Sequence, residues 1–235
     1  MVRQLTPFIK LVPDFVTFID TGVREKVMER LVKLERSESQ IEDIKNKASV
    51  ERFLDQALEA FNVGDITGAL QSYNQILELD SEHVMTYYNM ANIYLELKLM
   101  DEAESFYRRT LEINPFYLFG SIGLAKLYVF SGQPEKAVEV LQDTLKWYSG
   151  DQEVSLYLGL AYAFQKDGQK AIEELKKSLQ WDPTFPPAHY YLGVQYKSWN
   201  SELAKKHIKK FLQLASSQPG YENLQPGAKK ILNKL

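Results

Sequence analysis

The sequence predicts an all-α fold, a solenoid of antiparallel helix pairs. The first observation behind this prediction is a repeat of 34 residues, which is marked by alanines at Ala69, Ala103, Ala137 and Ala171. The second is that apolar residues inside each repeat recur at helical spacing, in two stretches separated by a turn. A fixed period of this length is typical of stacked arrays, in which each unit contacts only its neighbours and the array presents a long continuous surface.

Three other rows of residues keep the same step. One consists of small residues, one of tyrosines three positions later, and one of leucines. In order, these rows are Ala57, Ala91, Ala125, Gly159 and Gly193; Tyr94, Tyr128, Tyr162 and Tyr196; and Leu77, Leu111, Leu145 and Leu179. A small residue lets two helix backbones approach closely, and a tyrosine near it fills the same seam with a large ring that has a polar tip.

The repeat divides residues 50–217 into five units of two helices each. Their predicted bounds are 50–83, 84–117, 118–151, 152–185 and 186–217. The last unit is shorter by one residue, since Ala204 stands where the step falls on Lys205. Turns between the two helices, and stops at the ends of units, are predicted at Gly64-Asp65, Ser131–Pro134, Asp167-Gly168, Asn114-Pro115 and Asp182-Pro183.

Two segments precede the repeats. Residues 1–21 form an apolar arm whose hydrophobic part runs from Leu5 to Ile19, and residues 22–49 are predicted to be a helical extension. Within the extension, Gly22–Leu34 has an amphipathic pattern. Ser37 and Ser39 are suited to begin a second helix, and the sequence leaves open whether that helix runs on into the first repeat.

Residues 218–235 follow the repeats as a loop and a capping helix. Pro226 is suited to the first turn of a helix, and Ile231, Leu232 and Leu235 would then cover the open end of the array. A cap of this kind is expected because an uncovered last repeat would expose an apolar face to water.

Composition places the chain among ordinary globular proteins. It has 235 residues, of which 45% are hydrophobic and 25% are charged, and no cysteine. The net charge is −3, but eight lysines and only two glutamates follow Tyr196. This basic end could meet phosphates or an acidic lipid surface, or form the solvated face of the last helices. Nucleic acid is not expected, since the lysines lack interleaved aromatic residues. Without a secretory signal, the cytoplasm is the expected compartment.

The sequence carries no signature of an enzyme, a cofactor or a metal site. It has no phosphate-binding glycine loop, no serine flanked by glycines and no paired histidines at metal-ligand spacing. Of the three histidines, His83 ends the first unit, and His189 and His207 lie on different predicted helices of the fifth unit. For His189 we expect a role in helix packing.

The repeats resemble those of the tetratricopeptide repeat family. The fourth unit carries the family's pattern at Leu158-Gly159, Tyr162, Ala171 and Pro183. The second unit carries it at Tyr87, Met90-Ala91, Tyr94, Ala103, Tyr107 and Pro115. The first unit departs from it, with Gln56 and Ala60 where leucine and tyrosine are usual. The resemblance implies a right-handed superhelix and a role as a scaffold or adaptor in protein–protein contacts.

The resemblance also implies a concave groove on the first helix of each unit. In the family, the second, fifth, ninth, twelfth and thirteenth positions of each unit line this groove. Carried onto this sequence, the partner-binding residues are Leu54, Leu58, Phe61, Met85, Tyr88, Asn92, Leu95, Phe119, Ile122, Lys126, Val129, Phe130, Leu156, Leu160, Phe164, Tyr190 and Val194. Because this row is largely apolar, we predict a protein or peptide partner with an apolar segment, helical or extended.

The residues present argue against one mode of binding in the family. Members that hold the acidic C-terminus of heat-shock chaperones use a clamp of lysine, asparagine and arginine side chains. Asn92 would serve in such a clamp, but Tyr88, Gly123, Glu153 and Tyr157 stand in its other positions. A partner's carboxylate would meet no cation at these positions.

Two alternatives concern the apolar arm. The arm could fill the groove of its own chain, or that of a neighbouring molecule and so produce self-association through residues 5–19. In the second alternative the chain is a peripheral membrane assembly factor, in which Phe8, Phe15 and Phe18 enter the interface and the basic end meets anionic lipid.

Overall fold

The structure is a computed structural model of the chain, and it describes residues 21–235. For residues 21–27 and Leu31, it describes the backbone alone. The first twenty residues lie outside the described residues. They hold the hydrophobic part of the predicted arm and therefore also the predicted self-association segment.

All the regular structure in residues 21–235 is α-helical, in eleven helices. In chain order they are α1 (Thr21–Asn62), α2 (Ile66–Leu79), α3 (Val84–Glu96), α4 (Met100–Ile113), α5 (Leu118–Phe130), α6 (Pro134–Thr144), α7 (Gln152–Phe164), α8 (Gly168–Trp181), α9 (Pro186–Tyr196), α10 (Ser201–Ala215) and α11 (Gln225–Leu232). The chain divides between Ser81 and Glu82 into two compact units, the first containing α1 and α2 and the second α3–α11. The prediction of an all-α fold built from helix pairs is confirmed.

The helix starts reproduce the 34-residue step. The second helices of the first four repeats, α2, α4, α6 and α8, begin at residues 66, 100, 134 and 168. The first helices of the later repeats, α3, α5, α7 and α9, begin at 84, 118, 152 and 186. In the fifth repeat α10 begins at Ser201, and Ala204 is as fully buried as the alanines of the earlier repeats.

Helix α1 is longer than the sequence suggests. Thr21–Asn62 is one helix of 42 residues, so the extension continues into the first repeat without a break. The prediction that Ser37 or Ser39 begins a new helix is therefore wrong. Instead, Ser37 Oγ donates a hydrogen bond to the carbonyl oxygen of Leu34 at 2.9 Å, which is how a serine inside a helix satisfies its hydroxyl.

The two helices of each pair meet at the rows of small residues. The fully buried alanines of these rows are Ala57, Ala69, Ala91, Ala103, Ala125, Ala137, Ala171 and Ala204. At Gly159, an added Cβ would lie 2.8 Å from Cγ of Leu175, and at Gly193 it would lie 2.5 Å from side-chain carbons of Ile208. Both distances are shorter than van der Waals contact, so these helices approach more closely than a side chain at either glycine would allow.

The turn inside each of the first four repeats contains one residue in the left-handed conformation. One repeat apart, these residues are Gly64, Lys98, Gly132 and Lys166, with φ of 81°, 60°, 75° and 65°. Glycine adopts this conformation freely, whereas a residue with a Cβ is disfavoured there by about 1–2 kcal/mol. In the fourth repeat, the glycine predicted in the turn, Gly168, begins α8 instead. Asp167 caps that helix by accepting a hydrogen bond from the Lys170 amide.

Helix α11 covers the end of the array. Its Ile231 and Leu232 pack against a cluster made of Ile208, Phe211, Ala215 and Ala228. Leu235 packs against the main hydrophobic core of the second compact unit. The apolar face of the fifth repeat is therefore covered by the chain itself.

Three hydrogen-bonded side chains join α4 to α5. Tyr128 Oη donates to Glu104 Oε1 at 2.8 Å and accepts from Arg108 Nη2 at 2.7 Å, and Arg108 Nε donates to Glu104 Oε1 at 2.8 Å. Burial raises the pKa of Glu104, but the hydrogen bonds from Tyr128 and Arg108 outweigh it and hold that pKa below its usual range. Burial and the bond to Glu104 raise the pKa of Tyr128 to about 12, so its hydroxyl is a donor at neutral pH.

We expect Ala137→Leu to destabilise the protein by about 1–3 kcal/mol, because the added carbons would overpack a fully buried seam. Glu139→Leu on the same helix is the control, since Glu139 is exposed and its replacement leaves the seam intact. Urea unfolding followed by circular dichroism measures both changes. Equal stability of the two variants would contradict the helix contact described above.

We expect Tyr128→Phe to cost about 1 kcal/mol at pH 7, because the variant removes the hydrogen bond to the Glu104 carboxylate. Tyr162→Phe, one repeat later, is the matched control, because the Tyr162 hydroxyl only accepts a 3.3 Å bond from exposed Gln142. The folded-state pKa of Glu104 is depressed, so its contribution is full above the unfolded pKa and is lost as the pH falls through the folded pKa. The Tyr128→Phe penalty should therefore shrink in acid. A penalty independent of pH would show that the carboxylate plays no part in it.

Candidate functional site

A cluster of aromatic rings surrounds Tyr88 of α3. Between ring centroids, Tyr88 lies 6.2 Å from Tyr107 of α4, 5.6 Å from Tyr117 and 6.2 Å from Phe119 of α5. Tyr117 and Phe119 meet edge to face at 5.9 Å. Tilted and edge-to-face pairs at these distances attract one another, so the rings hold each other in place between the second and third repeats.

Tyr107 reaches this cluster because the residue facing it is a glycine. An added Cβ at Gly123 would overlap the Tyr107 ring. The Tyr107 hydroxyl donates a hydrogen bond to Asn92 Oδ1 at 2.5 Å, and burial raises the pKa of Tyr107 far above its usual range. The hydroxyl therefore stays a donor, and the amide nitrogen of Asn92 keeps its hydrogens for another acceptor.

A second polar aromatic group follows on α7 and α9. The pKa of half-buried Tyr157 is raised by burial first and then by the charges of Glu153 and Tyr191. Burial and the charge of Asp151 raise the pKa of Glu153, while Lys126 acts in the opposite direction. The charges of Glu153 and Lys126 therefore offset each other in part, in a surface that is otherwise tyrosine-rich.

Four large apolar side chains are exposed on the first helices of the second to fourth repeats. Met85 and Phe119, at the second position of their repeats, are 45% and 55% exposed, and Phe130 and Phe164, at the thirteenth, are 55% and 56% exposed. Eleven residues of helix make three turns and about 20°, so the two positions share one face and lie about 16 Å apart. Lys126 is exposed on that same face of α5.

The structure corrects four of the predicted groove residues. Ile122, Val129, Leu156 and Leu160 are at most 5% exposed and belong to the main hydrophobic core. On α5, Ile122 and Val129 are rotated about 60–80° away from the exposed face that carries Phe119 and Phe130. These four side chains therefore offer no surface to a partner, and the expectation that they are accessible is wrong.

The remaining predicted residues of the second compact unit are half-buried. They are Tyr88, Asn92, Leu95, Tyr190 and Val194. Tyr190 belongs with the cap, because its ring lies 5.2 Å from Phe211 and an added Cβ at Gly227 of α11 would lie 2.9 Å from its hydroxyl. Tyr190 is therefore packed under α11 and bounds the groove at the end of the array.

Three predicted residues lie in the first compact unit, on α1. Leu58 is 48% exposed, and Leu54 and Phe61 are half-buried. They share the repeat positions of Asn92, Tyr88 and Leu95, but they belong to a separate unit. These three residues are therefore not part of the candidate site, which is defined by residues of the second compact unit.

The sequence reasoning missed four tyrosines of the site. Tyr107 lies in the second helix of its repeat, Tyr117 ends that repeat, and Tyr157 and Tyr191 hold the sixth position of theirs. None of these is among the five positions from which the apolar groove was predicted, although the sixth position is one that the charged clamp uses. A signal was present, since Tyr157 and Tyr191 are one repeat apart and the same position is a glycine at 123. The contact between Tyr107 and Gly123, on different helices, could not be read from spacing along the chain.

Two searches of residues 21–235 gave negative results. No group of three or more histidine, aspartate or glutamate side chains in this part of the chain is arranged to hold a metal ion. None of the helices in this part is both long and apolar enough to cross a bilayer.

Comparison with known proteins identifies the repeats. Residues 84–117 and 122–186 each match a family model described as tetratricopeptide repeat. A search of curated proteins gave no match.

Solved structures share the fold at low sequence identity. TTC0263, a thermophilic tetratricopeptide repeat protein of Thermus thermophilus, is 23% identical with a TM-score of 0.66, over 78% of this chain and 99% of that one. MamA of Desulfovibrio magneticus RS-1 is 20% identical with a TM-score of 0.61, over 73% of this chain and 98% of that one. YrrB, described as having an unusual peptide-binding site, is 24% identical with a TM-score of 0.54, over 76% and 90%. The helix pairs within residues 84–186 are therefore tetratricopeptide repeats, and the chain contains an array of this family.

Proposed function

We propose that the protein is a non-enzymatic interaction scaffold and that the groove on α3, α5 and α7 binds an apolar segment of a partner protein. The observation that carries this proposal is the set of four exposed side chains, Met85, Phe119, Phe130 and Phe164, on one face of successive first helices. Large apolar groups repeated on one face of a protein in water are typical of a binding surface.

The geometry favours a partner that lies along the array. The second and thirteenth positions lie about 16 Å apart on each helix, so two rows of apolar groups flank a strip that contains Tyr88, Asn92 and Lys126. An amphipathic helix or an extended strand of a partner can place apolar side chains against such rows. YrrB, which has the same fold, has a peptide-binding site, and this supports the assignment.

The polar groups of the strip can fix the orientation of a bound partner segment. The Asn92 amide can donate to a backbone carbonyl of the partner, since its oxygen is already engaged by Tyr107. Lys126 is exposed between Phe119 and Phe130, where it can meet a carboxylate or the C-terminal end of a helix. A partner segment with apolar residues and a single acidic group thus fits this surface.

We expect the double variant Phe119→Ser with Phe164→Ser to lose partner capture while keeping its helicity. Burying one phenylalanine is worth about 1.5–3 kcal/mol, so two losses weaken binding by at least about 100-fold. The measurement is enrichment of partners by the immobilised full-length chain, quantified by mass spectrometry, with circular dichroism to verify the fold. Capture of the same partners by the double variant would contradict the proposal.

The chain offers a matched control of the same chemistry. Phe116 and Trp181 are 65% and 50% exposed but lie near the turns between repeats, away from the groove positions. The variant Phe116→Ser with Trp181→Ser should capture partners as the unchanged chain does. Loss of capture in this control alone would move the binding surface from the groove to the turns.

A further inference from the structure

A cleft of about 450 Å³ lies beside α10, apart from the groove residues. It is lined by His189, Lys206, His207, Lys209, Lys210 and Gln213. Five of these six residues lie within two turns of α10, and His189 of α9 supplies the sixth. The cleft is therefore bounded by two imidazole rings and by the side chains of three lysines on one helix.

The two histidines form a hydrogen-bonded chain with a defined direction. His189 Nε2 lies 3.1 Å from the carbonyl oxygen of Pro183, and His189 Nδ1 lies 3.0 Å from His207 Nδ1. A carbonyl only accepts, so His189 carries its proton on Nε2, and its Nδ1 must accept from Nδ1 of His207. Nε2 of a neutral His207 is then left with a lone pair that can take up a proton.

The cleft has an excess of positive charge that the protein does not neutralise. Within the described part of the chain, Lys206, Lys209 and Lys210 make no ion pair with a carboxylate, whereas neighbouring Lys205 pairs with Glu202 at 3.6 Å. Among the charged neighbours of the histidine pair, Lys176 of α8 adds a further positive charge near His207, and Asp182 supplies a negative charge near His189. Three lysines held together without partners repel one another and attract an anion.

Burial and the neighbouring positive charges determine the protonation state of His207. Burial lowers its pKa first, and electrostatic interactions with the His189 ring and with the ammonium groups of Lys206 and Lys176 lower it further, to about 4. The ring stacks on Tyr196 at 5.8 Å. His207 is therefore neutral at pH 7 while the cleft holds no anion, and a bound dianion would favour its protonated form.

We propose that this cleft binds a phosphate group, held by Lys206, Lys209 and Lys210 and by a hydrogen bond from His207. Three ammonium groups supply the charge that a dianion needs, and protonated His207 adds a directed donor at Nε2. The cleft is larger than one phosphate, so the remaining volume accommodates the organic part of a phosphorylated small molecule or the headgroup of a lipid. Both sources share the same phosphate chemistry.

The test follows the ring resonances of the three histidines by NMR while inorganic phosphate or sulfate is added to the full-length chain. Chloride holds the ionic strength constant. We expect saturable shifts at His189 and His207 and none at His83, which directly precedes α3 and bonds to Thr86. Equal shifts at all three histidines, or none, would overturn the proposal.

Sulfate separates the proton uptake from the titration of phosphate itself. Sulfate does not titrate near neutral pH, so any proton linked to its binding is taken up by the protein. An anion close to a histidine raises the pKa of that histidine by 1–3 units, so the affinity for sulfate should rise roughly tenfold between about pH 7.5 and pH 5. His207→Gln should bind sulfate with no such pH dependence. Retention of the full pH dependence in this variant would exclude His207 as the linked group.

Lysine variants test the site while leaving both histidines unchanged. Lys206→Ala with Lys210→Ala should weaken phosphate binding at least about tenfold. Lys229→Ala with Lys230→Ala removes the same charge from exposed positions on α11 and should leave binding unchanged. Equal weakening by the two pairs would indicate a general charge effect and refute the cleft.

A vesicle arm distinguishes the two sources of phosphate. Co-sedimentation with vesicles containing phosphatidic acid is compared with vesicles of phosphatidylcholine alone, using the same lysine pairs. Binding of free phosphate supports a soluble ligand, and binding to phosphatidic acid alone supports a lipid headgroup, provided that the Lys206 and Lys210 pair is required. Binding of neither would overturn the proposal.

Discussion

The close contact between paired helices at the small residues is the constraint on which the structure depends. Where Gly159 and Gly193 stand, an added Cβ would lie less than 3 Å from a side chain of the other helix. This contact sets the distance between the two helices of a pair, and the 34-residue step reproduces the contact in successive repeats. Each later feature, the groove as well as the basic cleft, is positioned by helices whose spacing these residues set.

The same principle, removal of a side chain to admit a neighbour, shapes the groove. Gly123 occupies a position that is tyrosine in the next two repeats, and its missing side chain makes room for the ring of Tyr107. Tyr107 then supports Tyr88 and engages Asn92. In the proposed groove, tyrosine rings pack over the aliphatic core, and the exposed phenylalanines flank them.

The fold and the helix starts could be predicted from the sequence, because a period of 34 residues leaves little freedom in where turns and seams fall. Which side of a helix is exposed could not. Ile122 and Phe119 are both apolar and both hold family groove positions, yet one is buried and the other is not. Their spacing places them about 60° apart about the helix axis, but nine of the thirteen residues of α5 are buried, so the sequence does not mark which direction faces water. Rings supplied by other repeats decide it. The continuity of α1 was not predicted for a related reason. A serine can begin a helix, but it can also lie inside one when its hydroxyl donates to a backbone carbonyl.

The lysines near the C-terminal end have different surroundings in the structure, which their positions in the sequence do not reveal. Along the chain, the eight lysines after Tyr196 are typical of a solvated face, and an anion site is the alternative. In the structure they separate into groups with different surroundings: Lys205 pairs with Glu202, Lys229 and Lys230 lie on the exposed cap, and three others line a cleft with two histidines. A solvated face would leave each ammonium group surrounded by water on its own. His207 beside the three cleft lysines is half-buried, and its burial and the nearby charge of Lys206 both disfavour its protonated form. A bound anion would therefore relieve the repulsion among the lysines and favour protonation of His207 together.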